Sequence, residues 1–69
     1  MDYKKLKLKI KEVYETQEAF ADVMEMSRTT LNQRLNGVVQ WTTPDIVKAC
    51  ALLNIPLKDA HLYFFTPKV

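Results

Sequence analysis

A chain of 69 residues holds one domain, and 48% hydrophobic residues let it fill a dense core despite that size. One glycine and a single cysteine exclude a glycine-rich phosphate loop and an internal disulfide, and one glycine with three prolines argues against a loop-rich or disordered chain. The formal net charge is only +2, yet five lysines fall between residues 4 and 11, a basic face that suits solvent or an anionic partner.

The first stretch, "DYKKLKLKIKEVYE", alternates like a strand at Leu6, Leu8 and Ile10. Wound as a helix, however, it places Tyr3, Leu6, Ile10, Val13 and Tyr14 within roughly 100° of arc and leaves only Leu8 outside. The lysine-rich remainder has good helix propensity, and Asp2 is placed to cap it, so the spacing predicts a helix from about 3 to 14.

In "TQEAFADVME", Thr16 is a cap and Glu18 favours the positive end of a helix over about 17–24. Phe20, Ala21 and Met24 form its apolar stripe, with Val23 beside it. Ser27 then caps a third helix, about 28–36, with Leu31 and Leu35 inward and Gly37 as its stop. Residues 38–40 form a loop.

"WTTPDIVKACALLN" carries two overlapping start signals. Thr42 as cap sets Asp45 at N3 and pairs Trp41 with Ile46 as a hydrophobic staple. Thr43 as cap would set Pro44 at N1. Either way a fourth helix begins here, with Ile46, Val47, Ala49, Cys50 and Leu53 inward and Asn54 as its end. "PLKDAHLYFFTPKV" predicts a short fifth helix, about 57–63, then a loose tail over 66–69. No repeat or linker divides residues 1–69. With no signal peptide and no apolar run near 18 residues, a cytoplasmic protein is expected.

The stretch "SRTTLNQRLNG" stands out. Its outward face carries Thr29, Asn32, Gln33 and Asn36, uncharged amides and hydroxyls in place of the usual Lys and Glu. Two short helices joined by a tight turn, the second apolar inside and polar outside, make a helix-turn-helix. Ala21 is small where the helices approach, and Phe20, Met24, Met26 and Leu31 are apolar where they pack.

"TQEAFADVMEMSRTTLNQRLNG" resembles the helix-turn-helix of the phage lambda-type repressor and Cro family (XRE type). Thr16, Gln17, Ala21, Ser27, Arg28, Thr30, Leu31, Asn36 and Gly37 match its pattern without a gap. A looser similarity to short prophage regulators of Gram-positive bacteria extends over "RLNG", "LLNI" and "YFF". Two departures stand out. Glu25 occupies a turn position where Gly is common. Arg34 and Leu35 replace an aromatic and a Glu before the "NG", so that Leu35 is expected to pack on Ile10. The resemblance implies an all-α, compact five-helix, lambda-repressor-like domain that binds a double-stranded DNA operator.

Arg pairs with guanine O6 and N7, Asn or Gln with adenine N6 and N7, and a Thr methyl meets the thymine methyl. Arg28, Thr29, Asn32 and Gln33 are therefore the expected base readers. Phosphate positioning falls to Gln17, by resemblance to the family's backbone-clamping Gln. Thr16, Thr30, Arg34, Asn36, Thr42 and Thr43 are further candidates. The lysine run supplies a general field.

Each feature has a plainer reading. Thr29, Asn32, Gln33 and Gln17 are ordinary surface, and Arg28 pairs with a carboxylate such as Glu25. Tyr63, Phe64 and Phe65 either close the core under the first helix or form a homodimer contact, since a paired helix-turn-helix reads half-sites about 34 Å apart. Trp41 reads as a packing staple and Cys50 as core filler with no base nearby. His61 stands alone, and no cluster has metal-ligand spacing. No cofactor, membrane contact or enzymatic activity is expected. The expected function is sequence-specific transcriptional regulation, Cro-like repression in a phage or prophage switch. The rival is a module that binds and modulates a phage repressor through Leu8 or the Tyr63–Phe65 cluster, with weak DNA binding of its own.

Overall fold

The first helix of the computed structural model, α1, runs Lys4–Tyr14 and begins one residue inside the expected span. The structure describes residues 3–65, so Asp2 as a cap and the 66–69 tail lie outside the described residues. Then follow α2 (Gln17–Met24), α3 (Arg28–Leu35), α4 (Thr43–Leu52), a single 3-10 turn (Leu57–Asp59) and α5 (Ala60–Phe64). No strand occurs among the described residues. The five helices close into a body of 29 × 25 × 21 Å.

Local chemistry sets the helix starts. Thr16 Oγ1 accepts from the Ala19 N–H at 3.1 Å and Ser27 Oγ from the Thr30 N–H at 3.1 Å. Thr42 Oγ1 accepts from the Asp45 N–H at 3.3 Å, which decides the start of α4 in favour of Thr42 and leaves Thr43 and Pro44 as its first two residues. Each side chain satisfies an N–H that would otherwise lack a partner.

Three helices stop by one device. After α3, the Val38 N–H reaches Gln33 O at 2.9 Å and the Gly37 N–H reaches Arg34 O at 3.3 Å, with Gly37 at φ 76°. After α2, Met26 bonds to Ala21 O and Glu25 to Asp22 O, each at 3.1 Å, with Glu25 at φ 60°. After α4, Ile55 bonds to Cys50 O at 2.9 Å across Asn54 at φ 58°. This is the Schellman arrangement, whose left-handed residue is best glycine and next best asparagine. Glu25 is the misfit, because its Cβ crowds the following carbonyl. Its compensation is an exposed ion pair with Lys48 Nζ at 3.1 Å. Relief of a left-handed clash exceeds an exposed pair, so Glu25→Gly should stabilise the domain by about 1 kcal/mol. A thermal melt should rise by roughly 4–8 °C, and an unchanged or lower midpoint would show that the Lys48 pair outweighs the strain.

The α1–α2 corner is tighter still. The Thr16 N–H bonds to Tyr14 O at 2.8 Å around Glu15, which sits at φ 70°, ψ −41°. That is the rare, strained form of a three-residue turn.

One contiguous core runs from Tyr3 to Phe64. Leu6, Phe20, Leu31 and Leu53 are wholly enclosed, and Ile10 and Leu35 nearly so. Leu35 thus lies in the same apolar cluster as Ile10. Two positions expected inside are not. Val13 sits at the margin of its helix face because Tyr14 takes the contact, its ring 5.5 Å from Phe20 and its hydroxyl donating to Leu52 O at 3.1 Å. Val47 is nearly half exposed because Ile46, Ala49, Cys50 and Leu53 complete the i, i+3, i+4, i+7 stripe without it. Cys50 is buried, and burial pushes its thiol up, away from the reactive thiolate.

Candidate nucleic-acid interface

Helix α3 divides cleanly between two faces. Leu31 and Leu35 are sealed in the core, which turns Arg28, Thr29, Asn32 and Gln33 to the exterior. The four share one exposed surface because the helical period places positions 28–29 and 32–33 one turn apart.

Arg28 had a rival partner in Glu25. That carboxylate is taken by Lys48, whose Nζ also donates to Met24 O at 3.4 Å. Arg28 makes no ion pair among the described residues. The Asn36 Nδ2 donates to Asn32 Oδ1 at 3.3 Å, so the two amides steady one another along the outer face.

The phosphate candidates divide. Thr16 and Thr42 serve as caps, and Thr30 Oγ1 accepts from the Ser27 hydroxyl at 2.9 Å. In each case the threonine oxygen accepts a bond, and its own proton is left to donate outward. Gln17 is partly exposed at the first position of α2, and Thr43 and Asn36 are exposed.

Arg34 is a correction. Its guanidinium NH1 donates to Asp45 Oδ2 across 11 residues, its side chain is only 14% exposed, and it lies 5.8 Å from the centroid of the Trp41 ring. With NH1 on Asp45 and the side chain largely enclosed, little of the guanidinium faces outward. Arg34 instead braces the last turn of α3 against the first turn of α4. The Arg34 hydrogen bond is the main reason that the Asp45 carboxyl is held below its usual range; partial burial opposes it, and the Thr42 hydroxyl adds to it. Two nitrogens of this cluster, Arg34 Nε and Trp41 Nε1, are buried without a hydrogen-bond partner.

Trp41 packs against the core, edge-on to Phe64 at 5.0 Å, and Ile46 is buried in that core. The terminal aromatic cluster splits between its two readings. Phe64 is core, Tyr63 is partly covered with Lys5 Nζ 5.4 Å above its ring, and Phe65 is 59% exposed.

Among the described residues the surface bears two notable concavities. A groove of about 370 Å³ is lined by Lys7, Leu8, Ile10, Lys11, Glu15 and Gln17. A smaller one, about 190 Å³, lies among Tyr3, Gln40, Trp41, Phe64 and Phe65. The first was missed in the sequence because the lysine run reads as one undifferentiated charge, and only the α1–α2 corner brings Gln17 to two of its members. Among the described residues no group of His, Cys, Asp and Glu is placed to hold a metal ion. No helix among them is long and apolar enough to cross a membrane.

A family model described as "Protein of unknown function (DUF739)" matches residues 1–67. No curated protein gives a significant match.

Proposed function

We propose that this chain, which belongs to the DUF739 family, is a helix-turn-helix regulator that uses α2 and α3 to bind double-stranded DNA at specific sequences. The observation that carries this reading is the outer face of α3. Arg28, Thr29, Asn32 and Gln33 are exposed together, and Arg28 is left without an ion-pair partner among the described residues. A cation with no internal use, beside amides and a methyl-bearing hydroxyl, matches the donor and acceptor pattern of base edges in the major groove.

In this mechanism α3 enters the groove, Arg28 and Thr29 reach deepest, and Asn32 and Gln33 read one turn on. Gln17, Thr16, Thr30, Asn36, Thr42 and Thr43 meet phosphates and set the register. Arg34 acts from behind by holding α3 on α4. Occupancy of the operator excludes polymerase or a competing regulator, as in Cro-like phage repression, and requires no chemical step. A second copy, joined through Phe65, would place two recognition helices on half-sites about one turn apart.

A second reading rests on Leu8, 60% exposed, and Phe65: a module that binds a phage repressor through apolar contacts. Selection from random duplexes with the purified protein separates the two. The DNA reading expects an enriched motif. Salt-sensitive binding without enrichment would favour the interaction module. On the enriched site, Gln33→Ala should cost about 1–3 kcal/mol and relax preference at one base pair. Binding by Gln33→Ala that is unchanged from the parent on every base variant would remove Gln33 from the readers.

A further inference from the structure

The five lysines of α1 are not equivalent. Lys9 pairs with Glu12 at 3.6 Å, and Lys5 lies over the Tyr63 ring. Lys7 and Lys11 instead line the groove between α1 and the start of α2, which Gln17 also lines, and neither makes an ion pair among the described residues. Four residues apart on one helix, they repel each other. Leu8 and Ile10 add an apolar lining to the groove. An anion between the two ammonium groups would relieve that repulsion, and the Gln17 amide supplies a neutral donor beside it. Glu15 also lines the groove and works against an anion.

Resting on the DNA-binding reading, we infer that this groove seats a backbone phosphate of the operator, held by Lys7 and Lys11. DNA is favoured over an acidic peptide because Gln17, which lines the groove, belongs to the helix that packs on α3. Through α2 the groove is thus linked to the helix that carries the proposed base readers. Lys7 and Lys11 have a seat for one phosphate, rather than adding to a diffuse field.

The test is the salt dependence of binding to the selected duplex, for the full chain, its Lys7→Gln/Lys11→Gln double variant, Glu15→Gln, and Lys58→Gln as a control for net charge. Glutamine preserves helix propensity, and a thermal melt checks the fold. The double variant should lose about tenfold or more in affinity at low salt. Its log–log slope should fall by roughly 1, as for one phosphate contact, with base preference unchanged. Glu15→Gln should bind more tightly than the parent chain, and Lys58→Gln should match it. If the parent chain selects a motif while the double variant's slope falls no more than that of Lys58→Gln, the groove does not touch DNA and the inference is overturned with the DNA-binding reading intact. Affinity of the groove for an acidic peptide in place of DNA would overturn it in the same way. A parent chain that selects no motif removes both.

Discussion

Phe20→Ala should leave the domain largely unfolded at room temperature. Phe20 is wholly enclosed and its ring meets Tyr14 at 5.5 Å, so truncation removes an aromatic contact and opens a cavity between α1 and α2. Substitutions of this kind cost about 3–5 kcal/mol. A core of this size rarely supplies more than about 3–5 kcal/mol in total. Circular dichroism should show a strong loss of helix and no cooperative melt above 25 °C. A variant that still melted cooperatively near the parent temperature would mean that the α1–α2 interface collapses onto the void, and that the core is more plastic than its enclosure implies. Cys50→Ala, which removes a single buried sulfur, provides the milder comparison within the same core.

The second large effect belongs to the Arg34–Asp45 brace. Arg34→Met keeps the aliphatic stem against Trp41 but strands the Asp45 carboxylate, and Asp45→Asn strands the guanidinium. Each should destabilise by about 2 kcal/mol, as expected for a charge-assisted bond that is partly shielded from water. The double variant should cost less than the sum of the singles. The pH dependence follows from the depressed Asp45 carboxyl. Because the folded value lies below the unfolded one, the stabilisation is fully present above the unfolded carboxylate range, near ~3.9, and fades as pH falls through the folded value. The gap in melting temperature between the parent and Asp45→Asn should therefore be constant near neutrality and close below about pH 4. A gap that persists undiminished in strong acid would assign the loss to packing of the asparagine. On the DNA-binding reading, both variants should also weaken operator affinity without changing which bases are preferred, since the brace sets where α3 sits and not what it presents.

The helices were legible because their signals are local. Thr16, Ser27 and Thr42 each reach an N–H three residues on, so the start of a helix is written within four positions. Leu31 and Leu35 were readable for the same reason: a stripe at helical spacing has one face to bury. The exposed face of α3 then followed as its complement. What escaped were the consequences of meeting in space. From the sequence Arg34 reads as a phosphate candidate, because its partner lies 11 residues away, on a helix whose approach no local pattern encodes. Val13 and Val47 were assigned inside because periodicity locates a face but not its edges, which depend on the neighbour that arrives. The Lys7–Lys11 groove escaped for a third reason: part of its lining comes from another helix, across a corner held in a strained turn at Glu15.

Tyr3 and Phe64 border the same small cavity, and α5 lies against α1. The described chain is thus drawn into a ring, its first and last helices each completing the other's burial. All five helices contribute buried residues to one shared cluster. Such a body is expected to be all-or-none, with little room for a half-open state. Detaching α5 would not merely fray an end. It would uncover α1, loosen α2 and reach α3 through the shared core, so the outer face of α3 draws part of its rigidity from the contact that is most distant in the chain.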